Sequence, residues 1–302
     1  MSIIKSYCVR NGDMFHIEHG SDNFTIIDCC LSDDNEEEIL DEVASISSRK
    51  GITRFISTHP DDDHIRGLEL LDDRIGVLNF YCVRNSVTKE DETDSFTRYC
   101  ELRDFEKRAF YIKKDCSRKW MNQEGDGRGS SGINILWPNT DNEEFKEALA
   151  ETQDGGTPNN MSAIIKYQLN GGVTALWMGD LETAFMEAIE DELDLPKVDL
   201  LFAPHHGRES GRIPTSMLEK MSPKIIIVGE APSEHLHYYP GYNTITQNCA
   251  GDILFECEEG AVHIFTSNAY DVDYLDDQGR TRTGYWYLGT LAVGAAKAVG
   301  VS

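Results

Sequence analysis

Within the six residues His59-Pro60-Asp61-Asp62-Asp63-His64 the chain places two imidazoles and three carboxylates, just after the apolar pair Phe55-Ile56. Carboxylates this close repel one another and tend to take up protons. A fold that draws this segment inward must therefore supply a cation. One or two divalent ions would bind the same groups as ligands and reverse the local electrostatics. The segment thus reads as one wall of a metal site, whose other wall must come from elsewhere in the chain.

Two further segments fit that role, and each stands at the end of a buried-strand pattern. Val173 to Met178 is apolar and β-rich and runs into Gly179-Asp180, while Leu200 to Ala203 runs into Pro204-His205-His206-Gly207. Ligands at strand ends are held by a rigid sheet while the loops stay free to admit substrate. An EF-hand is excluded, because Ile65 and Arg66 fall where an oxygen ligand and the turn glycine belong.

At this point the chain resembles the metallo-β-lactamase superfamily, and within it the branch typified by the soluble domain of the DNA-uptake protein ComEC. The superfamily signature H-x-H-x-D-H takes the branch form H-x-D-x-D-H in His59-x-Asp61-x-Asp63-His64. Asn11 to Ile17 looks like the family's G-D-S-x-L-I strand and Thr25-Ile26-Ile27-Asp28 like its L-I-D. Asn160-Met161-Ser162 resembles N-x-S-L-V, Met178-Gly179-Asp180 resembles T-G-D, and Val198 to Gly207 resembles the segment ending H-H-G. The matches keep their order from about residue 8 to residue 266. Two departures stand out: Cys29 replaces the glycine after L-I-D, and Tyr239 stands where the branch has a histidine, with His235 and His237 nearby.

The resemblance implies an α/β (α+β) fold, the αββα sandwich of two mixed β-sheets flanked by helices, with metals at one edge. On the spacing, His59 and Asp61 would hold one ion, Asp63 and His64 a second, and Asp180 would bridge them, as carboxylates do between ions roughly 3.5–4 Å apart. By resemblance His205 completes the ligands of the second ion, with His206 stacking on it or supporting it from behind; the sequence does not choose between the two imidazoles. Asn160 occupies the place of a third histidine, which leaves more oxygen ligands and favours manganese over zinc, with magnesium a further candidate. Asp13 and Asp28 read as hydrogen-bonded supports, Asp62 as solvent-facing, and His16 and His263 as packing residues.

The expected cofactors are two divalent ions (Mn2+ or Zn2+, or Mg2+), and the expected chemistry is metal-assisted hydrolysis. Asp63 and His237 are the candidate catalytic groups, with Ser162 or Lys166 as alternatives to His237 as proton donor. Three function classes follow: a two-metal phosphodiesterase or nuclease acting on nucleic acid or a nucleotide, a hydrolase of an ester, thioester or lactam, and a catalytically weak module that binds a protein partner.

Charge bears on the choice. With 28 Lys plus Arg against 53 Asp plus Glu the formal charge is −25, which opposes a long polyanion, since phosphate neutralisation by cations normally drives such binding. Lys107, Arg108, Lys113, Lys114, Arg118 and Lys119 form one candidate basic rim, able to act locally because the Debye length is about 8 Å at physiological salt. A nucleotide suits the balance better than a duplex. No run reaches the roughly 18 apolar residues of a membrane span, the first residues lack a signal-peptide core, and eight cysteines without a C-x-x-C pair read as buried free thiols. A cytoplasmic protein with no membrane association is expected, with the apolar stretch Tyr285 to Val301 packed on the domain.

Residues 1–302 read as a single domain carrying a charged and aromatic insertion over the site at about 84–130. Strands are expected at Val77–Val83, Ile133–Trp137, Ala163–Leu169, Ile225–Val228, Ile253–Phe255 and Val262–Phe265. Helices are expected after Asp33-Asp34, at Leu181–Glu192 and from Pro214 to Met221, with a loop and short helix over 139–160.

Overall fold

The computed structural model of the chain describes residues 1–230 and 237–294. In chain order the strands are β1 (Ser2–Ser6), β2 (Phe15–Glu18), β3 (Asn23–Ile27), β4 (Cys29–Cys30), β5 (Ile52–Ile56), β6 (Phe80–Cys82), β7 (Ala109–Tyr111) and β8 (Ile133–Trp137), then β9 (Ile164–Gln168), β10 (Thr174–Trp177), β11 (Leu200–Phe202), β12 (Ile225–Val228), β13 (Thr244–Thr246), β14 (Ile253–Glu258), β15 (Ala261–Thr266) and β16 (Trp286–Ala292). The helices are α1 (Glu36–Ser47), α2 (Asp62–Ile65), α3 (Leu68–Ile75), α4 (Asp94–Asp104), α5 (Glu143–Gln153), α6 (Thr183–Ile189), α7 (Thr215–Met221) and α8 (Gln247–Ala250).

Among the described residues these strands, apart from the two-residue β4, form two mixed sheets. One has the order β16-β15-β14-β1-β2-β3-β5-β6-β7 and the other β13-β12-β11-β10-β9-β8. In the first, β3, β5, β6 and β7 run parallel; in the second, β10, β11, β12 and β13 do. The sheets meet face to face through large rings. Phe15 of β2 sits edge-on to Trp177 of β10 and Phe202 of β11, with centroids at 6.0 and 5.0 Å, and those two stack at 4.6 Å. Such pairs contribute about 0.5–1.5 kcal/mol each beyond their burial. The αββα architecture expected from the sequence is therefore present.

Local patterns explain the elements that frame the site. In α1 the buried Ile39, Leu40, Val43 and Ile46 share one helical face, and Glu36, Glu37 and Glu38 fill the first turn, where the dipole favours acids. In the second sheet β12 reads Ile-Ile-Ile-Val and is wholly buried, as a parallel strand covered on both faces must be. Residues 139–160 hold more than a short helix: α5 runs eleven residues, capped by the Asn142 side chain accepting from the Phe145 amide and burying Phe145, Ala148 and Thr152. Within 84–130 lie α4 and the edge strand β7. The stretch from Tyr285 supplies β16, which pairs with β15, while its residues 295–301 fall outside the described part.

His16 on β2 is buried, its Nδ1 2.8 Å from the Tyr7 hydroxyl. Burial, with Lys5 and Arg282 adding to it, lowers its pKa to about 3. The folded chain keeps this ring neutral where the unfolded chain protonates it below about 6.5. Its stabilising contribution is therefore complete above that pH and is lost as pH falls toward 3. Between pH 7.5 and 5 the loss amounts to about 2 kcal/mol. Urea unfolding of wild type and His16→Gln at both pH values should give a pH dependence flatter by that amount in the variant; equal slopes would refute it.

Candidate metal centre

The parallel strands deliver their chemistry to one edge of the sandwich. Asp28 follows β3, Thr58 and His59 follow β5, Asp63 and His64 sit on the short α2, Asp180 follows β10, and His205 and His206 follow β11. Because β2 runs antiparallel to β3, Asp13 just before β2 reaches the same edge. Open α/β sheets place ligand sites at these carboxyl ends. Two backbone ties close the loops on each other: the Asp13 amide donates to the Asp63 carbonyl, and the His205 amide to the Gly179 carbonyl, both at 3.0 Å.

Asp180 is the hub. Its Oδ1 lies 3.0 Å from His64 Nε2, and its Oδ2 lies 3.6 Å from His206 Nε2, 3.8 Å from His205 Nε2 and 4.0 Å from His59 Nε2. One ligand atom each from Asp13, His64, Asp180 and His206 falls within 4.8 Å of the others, and all four residues are buried.

One carboxylate behind the hub fixes two of the imidazoles. The Thr58 amide and hydroxyl donate to the two oxygens of Asp28 at 2.7 Å each. With its proton spent there, the Thr58 hydroxyl must accept from His59 Nδ1 at 3.1 Å. His64 Nδ1 is 2.9 Å from the same Asp28 oxygen, Oδ2. Both rings therefore carry their proton on Nδ1 and turn Nε2 inward, the arrangement that prepares a histidine for a metal. His59 Nε2 is buried and has no hydrogen-bond partner, while His64 Nε2 and Asp180 Oδ1, also buried, have only each other, at 3.0 Å. Buried polar atoms are rarely left so. A bare His59 Nε2 facing this carboxylate, beside a His64 Nε2 whose proton a metal would replace, is what a divalent ion would satisfy, so the residues fit a metal.

The charge states agree. Burial, reinforced by His64, lowers His59 to about 3, and burial also lowers His205 against the pull of Asp180. Burial works against the charged form of His64, yet Asp180 and Asp28 outweigh it and hold the ring protonated; in the same way Asp13 and Asp180 lift His206 to about 10. Asp180 stays ionised because His64 and His206 overcome its burial. Protons on imidazoles here stand where a metal cation would, and ligation must release them.

The consecutive histidines both reach Asp180 through an uncommon backbone. His205 and His206 have φ of 52° and 56°, and Asp28 has 56°, each costing about 1–3 kcal/mol for a residue with a side chain. His206 is paired at both nitrogens, Nδ1 with Asp13 at 3.1 Å and Nε2 with Asp63 at 3.2 Å. His205 is held at Nδ1 by Ser210 Oγ at 3.0 Å.

Gly179 has φ of 52°, and a Cβ there would lie 2.7 Å from both Cβ and Oγ of Ser162, whose hydroxyl accepts from the Asp180 amide. Gly179→Ala should therefore destabilise the chain by about 2 kcal/mol or more. A shift under about 0.5 kcal/mol in urea unfolding would show that the contact is relieved cheaply.

The remaining expected residues divide. Asp61 points away from the hub: its Oδ1 is 3.2 Å from Lys89 Nζ, which also lies 3.4 Å from Asp62 Oδ1. Asn160 is tied to Glu182, accepting from its amide and donating to its carboxylate. His237 is exposed, its ring against Tyr238 at 5.3 Å; His235 lies outside the described residues, and Tyr239 is buried. His263 is buried in β15 with Nδ1 2.7 Å from Thr290 Oγ1. Within the basic rim Arg108 pairs with Asp72 and Lys119 with Asp126, Lys114 donates to the Glu192 carbonyl, and Arg118 lies over Phe110. Asp13 and Asp28 are hydrogen-bonded to site histidines as expected; Lys89 was not anticipated as a neighbour of the motif, since no spacing rule links residue 89 to residues 59–64.

No protein-family model and no curated protein matches the chain. Among solved structures it is similar to Igni18, described as a novel metallo hydrolase from the hyperthermophilic archaeon Ignicoccus hospitalis KIN4/I. The likeness has a TM-score of 0.51 at 15% identity and spans 85% of this chain and 99% of that one. The chain shares the fold of that protein. Among the described residues no helix is long and apolar enough to cross a membrane.

Proposed function

We propose that this chain is a metal-dependent hydrolase, a phosphodiesterase acting on a nucleotide or other small phosphodiester in preference to a long nucleic acid. The observation that carries the metal part is the convergence of four buried or half-buried imidazoles on the Asp180 carboxylate, with His59 Nε2 buried and unpartnered among them. His59, His64, Asp180 and His205 would hold one ion, with His205 preferred to His206 because both nitrogens of His206 are already engaged. Asp63 and Asp61 remain for a second. When bound, divalent ions supply Lewis acidity and bring the pKa of a water from 15.7 toward about 7.

The chain's own groups do the rest. Asp28 and Thr58 orient two imidazoles, and Asp63, kept ionised by His206 despite its burial, is the acceptor that orients the attacking water. His237 is the proposed proton donor to the leaving oxygen. The preference for a small substrate rests on charge. The cleft of about 780 Å³ beside Asp61 is lined by Lys89 together with Asp61, Glu90 and Asp154, and three carboxylates against one ammonium oppose a polyanion.

Three imidazoles among the proposed ligands also favour zinc, and with it the second reading, hydrolysis of an ester, thioester or lactam. The deciding experiment reloads the metal-stripped protein with Mn2+, Zn2+ or Mg2+. It then measures turnover of bis-p-nitrophenyl phosphate, cyclic nucleotides, single-stranded DNA, RNA and a p-nitrophenyl ester. Ion-dependent cleavage of the small diesters is expected. Turnover confined to the ester would replace the first reading with the second, and absence of bound metal would remove both.

A further inference from the structure

Asp61 and Asp63 are two residues apart yet do different things. Asp63 lies on α2 and turns to His206, whereas Asp61 precedes that helix with extended φ and ψ of −83° and 155° and turns to Lys89. The Lys89 ammonium has a defined seat, 3.2 Å from Asp61 Oδ1, 3.4 Å from Asp62 Oδ1 and 5.1 Å from the centre of the Phe96 ring. A carboxylate already shared with an ammonium is a poor ligand for a second dication, because the two positive charges would sit within a few ångströms of each other. The same ammonium lines the cleft beside Asp61, opposite the loop of residues 153–158. Among the described residues of that lining it is the single cation.

We propose that Lys89 is a positioning residue that sets the metal content of the centre. Its ammonium keeps Asp61 out of the ligand shell, so that the inner group of His59, His64 and Asp180 takes one ion tightly and a second binds weakly. An anionic group entering the cleft draws the ammonium to itself, frees Asp61 and lets the second ion in. Metal loading is thereby linked to substrate, and a dication is not held fully exposed when the cleft is empty. This rests on the metal-centre reading above.

The test is titration calorimetry of the metal-stripped, full-length chain with Mn2+, with and without saturating inorganic phosphate. Wild type should show one tight and one weak ion, and phosphate should tighten the weak one. Lys89→Met should tighten the weak ion by about tenfold or more without phosphate, lose the response to phosphate and leave the tight ion within about threefold. Lys89→Arg should behave as wild type, and adding Asp61→Asn to Lys89→Met should remove the second ion. Identical isotherms for wild type and Lys89→Met, or two equally tight ions in wild type, would overturn the role of Lys89 while leaving the centre intact. No binding by either chain would overturn the centre and this inference with it.

Discussion

Asp180→Asn is expected to lower divalent-ion affinity by about 100-fold or more and to bring hydrolysis to background. The side chain keeps its shape and loses its charge, so the effect isolates electrostatics from packing. The Asp180 carboxylate lies 3.0–4.0 Å from ring nitrogens of four histidines, and an amide would leave the ion facing imidazoles without the one anion that all of them share. In the metal-free chain the variant should be only mildly destabilised, since the imidazoles that Asp180 holds protonated can shed their protons. Chelator-competition titration and a thermal melt without metal check the two halves. Affinity within about threefold of wild type would mean that ions, if bound, are bound elsewhere.

Asp28 should matter nearly as much, by a different route. Asp28→Ala strands the Thr58 amide and removes the acceptor of His64 Nδ1, a buried charged network broken at its centre, for which about 3–5 kcal/mol is expected. Asp28→Asn separates orientation from stability. Asparagine tolerates the positive φ and keeps an acceptor for Thr58, but it cannot accept from both Thr58 and His64 through the oxygens now used. One imidazole must change tautomer, which should cost about 10–100-fold in metal affinity with a smaller loss of stability. Urea unfolding and metal titration on both variants give the comparison. Equal metal affinity in Asp28→Asn and wild type would show that the tautomer is set by something else.

The sheets were legible because their signals are local. Runs such as Ile133–Trp137 and Ile225–Val228 coincide with β8 and β12, and the residues that end β5, β10 and β11 announce themselves as histidines and aspartates in otherwise apolar surroundings. β7 and β13 escaped notice because three-residue strands carry no period, and β16 because Gly289 and Thr290 interrupt its apolar run and its partner β15 supplies the pairing. The site was legible as a set of residues and not as a geometry. The spacing of His59, Asp61, Asp63 and His64 pairs each histidine with the nearest aspartate. In the folded chain the two imidazoles instead lie 4.1 Å apart, centre to centre, both aimed at Asp180, while Asp61 is turned outward by Lys89. Which way a carboxylate faces depends on a lysine twenty-eight positions away, and no reading of neighbours along the chain contains that.

His59 and His64 come from the first sheet's side of the sandwich, and Asp180 and His205 from the second's. An ion gripped by both would act as a removable rivet between the two layers. It would close a loop of roughly 100 residues, an effect on the order of 4–5 kcal/mol in the chain-entropy account of a covalent crosslink. All eight cysteines are free, so no disulfide does this work, and the chain's resistance to unfolding would then rise and fall with the supply of dications around it.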